Sequence, residues 1–148
     1  MSFLLDKSIA NQKALVYLSD VKLYAPSIHC GYYSCFQKIV HILKKRYSVE
    51  YGQELKFYET KQKGNLHGAC IRLFTSQLKK IDKRDALEVD DLLKQLKDYR
   101  LKSDYEDTEI FEKDVDKVKE FVSKIHRAIK IHMKEWQSKN SFPNLSRK

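Results

Sequence analysis

Apolar residues recur at three- and four-residue steps along almost the whole chain, and no stretch sustains the two-residue alternation of a half-buried strand. The pattern predicts an all-α protein. A first helix is expected over about residues 4–22, with Leu4, Leu15 and Leu18 along one side. Pro26 suits the first turn of a second helix, where its missing N–H has no intrahelical partner to lose. That helix carries the clearest stripe in the chain: Tyr32, Cys35, Phe36, Ile39 and Leu43. Residues 46–64 hold no helical stripe and form the longest expected loop. A third helix starts near Asn65 and turns Leu66, Cys70, Leu73, Phe74 and Leu78 inward; residues 79–85 read as a polar turn. A fourth, through Val89, Leu92, Leu93, Leu96 and Tyr99, ends near Ser103.

The fifth helix is expected to start within residues 104–109, which supply capping side chains and acids. Lys130, Lys134 and Lys139 fall towards its end, so both termini complement the helix dipole. Its inward stripe is Val118, Phe121/Val122, Ile125, Ile129, Met133 and Trp136, and residues 139–148 form a polar tail. Five helices joined mostly by short turns, each with one apolar stripe, make an antiparallel up-and-down bundle. At 148 residues the default is one domain, 1–148, with a core over about 5–136.

Composition narrows this further. Four glycines and two prolines are too few for a turn-rich sandwich or barrel, and 42% hydrophobic with 33% charged residues suits neither a disordered nor a membrane chain. No apolar run approaches the ~18–20 residues of a spanning helix, so no membrane is expected. The N-terminus lacks the pattern of a secretory signal, and Cys30, Cys35 and Cys70 are an odd number in no bridge-like arrangement. Reduced thiols in a cytoplasmic protein are expected. The net charge of +9 is unevenly laid out: +4 over residues 38–63, −6 over 104–116 and +7 over 117–148. A basic face of this kind suits a polyanionic partner, although a solvated lysine-rich surface has the same composition.

Chemistry-bearing motifs are mostly missing. Glycines at 31, 52, 64 and 68 cannot build a phosphate loop, and HExxH, CxxC and Gly-x-Ser-x-Gly do not occur. His29-Cys30 and His67-x-x-Cys70 offer zinc-type ligands, but Cys35 and Cys70 sit on apolar stripes, where free cysteine acts as a small hydrophobe. No metal and no cofactor are expected.

The segment Tyr99-Arg100-Leu-Lys-Ser-Asp104-Tyr105 departs from plain bundle logic, placing an arginine, an aspartate and a tyrosine where one helix gives way to the next. Together with Gly31-Tyr-Tyr-Ser-Cys-Phe36, the His67-Gly68 helix start and the order of five helices, it resembles a HEPN domain, particularly the small stand-alone prokaryotic kind. The resemblance spans about residues 5–136. It implies a homodimer whose arginine segments share a cleft. It also implies kinship with metal-independent endoribonucleases, many of them toxins paired with a small nucleotidyltransferase antitoxin. The family's active motif is an arginine, four to six residues, then a histidine. Arg100 matches the arginine, but Tyr105 stands at the histidine position. In some such pairs the nucleotidyltransferase modifies a tyrosine near this motif, which makes Tyr105 a possible acceptor.

Arg100 is the expected phosphate ligand, because a guanidinium is always charged and donates two parallel hydrogen bonds. In a nuclease Asp104 and Tyr105 would join it, although a phenol with an ordinary pKa near 10 is a poor general base. Its bland alternatives are capping the fourth helix or pairing with Asp104. A second nucleic-acid-binding candidate is Lys44, Lys45, Arg46 and Tyr47, continued by Tyr51, Lys56, Phe57, Tyr58 and Lys61, where cations alternate with rings. His41 and His67 are further candidates for the cleft wall. A literal Arg127-x4-His132 match falls on the fifth helix, where residues five apart diverge by roughly 140°. Three expectations follow: an RNA- or nucleotide-binding helical protein, an endoribonuclease toxin using Arg100 and Tyr105, or a non-catalytic partner of a nucleotidyltransferase.

Overall fold

A computed structural model describes residues 3–49 and 66–139, with side chains described as far as Lys134. Five helices make up the fold: α1 (Phe3–Asp20), α2 (Tyr24–Tyr47), α3 (Leu66–Lys79), α4 (Lys83–Tyr105) and α5 (Glu112–Lys139). No strand occurs among the described residues. The all-helical bundle expected from the spacing is the observed architecture.

Helix α2 is the axis, packing against each of the other four helices. Its apolar residues cover more than one side, so Ile28, Tyr32, Cys35, Phe36, Ile39, Val40, Ile42 and Leu43 are all buried. Gly31 allows α5 to approach α2 closely, since a Cβ there would stand 2.9 Å from Val118 Cγ1. Helix α1 buries a single large apolar residue, Leu15, and is held to α2 by polar bonds instead. Ser8 Oγ donates to Ser34 O at 2.6 Å, Ser27 Oγ to Leu15 O at 2.7 Å, and Asn11 Nδ2 to Gln37 Oε1 at 2.8 Å. Low numbers pair with high ones, so the two helices run antiparallel. The α4–α5 pairs, His132 with Asp85 and Tyr99 with Phe121, give the same sense.

Helix ends follow local chemistry and differ in places from the spacing. Helix α1 stops where Lys22 turns left-handed (φ 62°) and Leu23 N–H donates to Leu18 O at 2.8 Å, the bond of a Schellman cap. Helix α2 runs on through Arg46 and Tyr47, which the sequence pattern assigns to the loop, and ends at the left-handed Ser48 (φ 54°). The triple of Lys44, Lys45 and Arg46 therefore lies in its last turn, where cations complement the carbonyl end of the dipole. Helix α4 opens on Asp82, whose carboxylate accepts from Asp85 N–H at 3.0 Å, and continues to Tyr105 rather than stopping near Ser103. Helix α5 begins at Glu112, later than expected. Its cap comes from inside, with Phe111 N–H donating to Asp114 Oδ2 at 2.9 Å, not from the acids of residues 104–109. The expected loop lies largely outside the described residues, as do the Trp136 side chain and the polar tail.

Candidate functional site

Continuing α4 through Tyr105 has a geometric consequence. Arg100 and Asp104 become i,i+4 neighbours on one helix face, and Arg100 Nη1 lies 3.7 Å from Asp104 Oδ2. That face meets the N-terminal half of α2. Residues 29, 32, 33 and 36 fall at three- and four-residue steps there, placing a histidine and three rings along one side of α2, of which Tyr32 and Tyr33 lie within reach of the arginine.

Arg100 is 8% exposed, unusual for an arginine without a close carboxylate. Its guanidinium carbon stands 5.0 Å from the Tyr32 ring centre, 5.8 Å from Tyr33 and 5.7 Å from Tyr105. Such distances give cation–π attraction. Asp104 is its ionic partner, at a length beyond a hydrogen bond, and Nε is buried with no hydrogen-bond partner among the described residues. The charge is thus held by rings while donor capacity remains unspent.

Asp104 has its close bond elsewhere. His29 Nδ1 is 2.8 Å from Asp104 Oδ2, and the His29 side chain is 47% exposed. An Nδ1–H donating to the carboxylate leaves Nε2 as the basic nitrogen of the imidazole. His29 also packs on Tyr33, ring centres 4.6 Å apart. Beyond these lies a second layer: Tyr32 Oη meets His67 Nδ1 at 2.9 Å, and His67 stacks on Phe36 at 4.1 Å. Burial, then the Arg100 and Lys97 charges, holds the His67 pKa below its ordinary value, while burial raises that of the Tyr32 phenol. Both therefore stay neutral around pH 7, and the positive charge at this point belongs to Arg100.

Arg100, Asp104 and Tyr105 are brought together as the sequence suggests, with His67 in the supporting layer. Tyr105 is 74% exposed at the end of α4, its ring centre 5.7 Å from the guanidinium carbon. His29 is the member that motif reading misses, because it precedes Arg100 by 71 positions and reaches it through Asp104 and the Tyr33 ring. The available signal was its place at the head of the α2 aromatic stripe.

Lys44, Lys45, Arg46 and Tyr47 do not join this cluster. They lie about 16–21 Å further along α2 than Tyr33, at 1.5 Å per residue. Nor do Arg127 and His132 converge: Arg127 is exposed, while His132 is buried with Nε2 on Asp85 at 2.8 Å. Asp82, Asp85 and His132 hold ligand atoms within 4.8 Å of one another, but they are engaged in capping α4 and tying it to α5. All three cysteines are free, and burial raises the Cys35 and Cys70 thiols to about 12, which keeps them protonated and unreactive.

Among the described residues no helix is long and apolar enough to cross a membrane. The chain matches no family model, no curated protein and no solved structure in comparisons with known proteins.

Proposed function

We propose that the protein is a HEPN-type RNA-binding helical protein that grips a phosphate with Arg100 and stacks flanking bases on Tyr33 and Tyr105. One observation carries this: a nearly buried guanidinium resting on three tyrosine rings, with a carboxylate only at 3.7 Å and an unpartnered Nε. A purely structural arginine spends its donors, because a buried charge without hydrogen bonds costs stability. Rings beside a cation are the usual equipment for unpaired bases and their phosphates. The net charge of +9 favours the same class of ligand.

The reading includes a homodimer, as the resemblance implies, with Leu101, Tyr105 and Phe111 as exposed apolar residues around the arginine segment. A nucleotidyltransferase partner belongs to the same reading, with the exposed Tyr105 phenol as the group it would modify. The test is fluorescence anisotropy with single-stranded RNA. Arg100→Gln should weaken binding by about 1.5–3 kcal/mol, the loss of a charged hydrogen bond. Unchanged affinity in a folded Arg100→Gln would overturn the reading.

A second reading, a metal-independent endoribonuclease, is favoured by the His29–Asp104 pair. His29 Nε2 would take the 2′-hydroxyl proton as the 2′-oxygen attacks phosphorus and the bond to the 5′-oxygen breaks. The leaving oxygen takes a proton from water, and Arg100 steadies the added negative charge. The products are a 2′,3′-cyclic phosphate and a free 5′-hydroxyl. This assigns the base to His29, not to Tyr105. Cleavage in EDTA that vanishes in His29→Gln and falls in Asp104→Asn, with RNA still bound, would establish it. Binding without cleavage in the wild type would leave the first reading alone.

A further inference from the structure

Helices α3 and α4 are joined by only three residues, so they diverge as a narrow antiparallel pair. Between them runs a surface groove of about 480 Å³. Its cations are Arg72 and Lys79 from α3 and Lys94 and Lys97 from α4; Ile71 contributes apolar wall, and the acid lining it is Asp90, which holds Lys94 at 2.7 Å. Gly68, at the far end from the interhelix turn, lies about 16 Å from Lys79 at 1.5 Å per residue. Lys79 stands at the turn end, whereas Arg72 and Lys97 stand towards Gly68. One helical turn beyond Lys97 comes Arg100.

We infer that this groove carries the sugar–phosphate backbone of single-stranded RNA, its row of cations leading the strand onto Arg100. The inference rests on the phosphate-binding reading of Arg100 and adds the path by which the strand arrives. Three observations support it. The cations form a line along the groove, as a strand of repeated phosphates requires, and a single anion would need only a point. The line ends at exposed and half-buried tyrosine rings, flat faces on which the bases of a single strand stack. Burial, and then the neighbouring Arg100 and Arg72 charges, lowers the proton affinity of Lys97. Like charges crowded at the head of the groove repel one another, and a polyanion laid between them relieves that repulsion.

The test uses a short fluorescein-labelled single-stranded RNA, with affinity followed by anisotropy over a series of KCl concentrations. For single strands the slope of log K against log salt is about −0.7 per phosphate neutralised, so Arg72→Gln/Lys97→Gln should flatten it by ~1.4. Affinity at low salt should fall at least about tenfold. Lys79→Gln, at an exposed position where folding is not at risk, should flatten the slope by ~0.7. The charge-matched control, Lys117→Gln/Lys130→Gln on exposed sites of α5, should leave it unchanged. If the control flattens the slope as much as the groove variants, the attraction is general surface charge and the inference fails. Groove variants that behave as wild type while Arg100→Gln weakens binding would refute the path and leave the Arg100 reading intact. The reverse pattern would support the groove and overturn the role of Arg100. A wild type that binds no RNA but dimerises, with the dimer dissociated by Arg72→Gln/Lys97→Gln, would make the occupant the acidic 104–116 segment of a second copy and overturn both.

Discussion

Replacing Arg100 with methionine separates a structural arginine from a functional one. The favourable side begins with Asp104: at 3.7 Å and an effective dielectric of about 20, the gross attraction is ~4.5 kcal/mol. The tyrosine rings add roughly 0.5–2 kcal/mol of cation–π attraction. Against this stand the desolvation of the nearly buried Arg100, several kcal/mol, a smaller cost for the less buried Asp104 carboxylate, and about 1–3 kcal/mol for the unpartnered Nε. The two sides nearly cancel. Methionine keeps a long flexible stem against the rings, and Asp104 keeps His29 at 2.8 Å, so no buried charge is abandoned. Arg100→Met should therefore fold with a stability within about 1 kcal/mol of wild type, a Tm shift of a few degrees. RNA affinity should fall by about 1.5–3 kcal/mol, roughly ten- to a hundredfold. Thermal unfolding by circular dichroism and anisotropy on the same preparation read the two quantities. A Tm lowered by more than 10 °C with undiminished RNA affinity, against a ~4 °C shift expected per kcal/mol, would refute the argument and make Arg100 a structural ion-pair residue.

Three further outcomes are expected. Burial and the Lys38 charge push the His126 pKa down to about 4 from 6.5, so the unfolded chain takes up this proton first; stability is complete above pH ~6.5 and falls as pH drops towards 4, by ~2 kcal/mol between pH 7 and 5. His126→Gln, which keeps a partner for Ser34 Oγ, should remove that share of the slope in urea titrations at the two pH values, and an unchanged slope would show that His126 is not its source. Gly31→Ala gains about 1 kcal/mol of helix propensity but forces a methyl to within 2.9 Å of Val118 Cγ1 and 3.4 Å of Leu15 and Val122, so a net loss of about 1–2 kcal/mol is expected in chemical denaturation; a stabilised variant would contradict the tight α2–α5 contact. Tyr105→Phe should retain RNA binding and any cleavage, because its ring does the stacking and His29 holds the basic nitrogen, whereas Tyr105→Ala should lose about 1–3 kcal/mol of binding; cleavage abolished by Tyr105→Phe would return the catalytic role to the phenol.

Helices α2 to α5 were legible because apolar positions at helical spacing hold each of them in the core and that period survives in the sequence. Cys35, Phe36, Ile39 and Leu43 on α2, or Val118, Val122, Ile125 and Ile129 on α5, are read from spacing alone and are all buried. Helix ends were less legible, since they depend on which group reaches the orphan amides and carbonyls. Five acids between residues 104 and 112 look like a cap for α5, yet Asp114 supplies it from within the helix. With the cap supplied from within α5, the residues before it are left to α4, which continues through Asp104 and Tyr105.

The same extension explains why half of the candidate site was visible and half was not. Arg100, Asp104 and Tyr105 are close in sequence, so a motif records them; on a continuous helix Asp104 returns to the side of Arg100 after four residues, while Tyr105 stays beside them at the helix end. His29, Tyr32 and Tyr33 come from another helix, and their place depends on the crossing of α2 and α4, which no local pattern encodes. A linear search for a histidine five to seven positions after Arg100 finds Tyr105, Glu106 and Asp107 and stops. The fold supplies the imidazole across the helix pair, through the carboxylate of Asp104. Chemistry that a motif assigns to neighbours in sequence needs only neighbours in space, so the absence of histidine at position 105 is no argument against a basic nitrogen at Arg100.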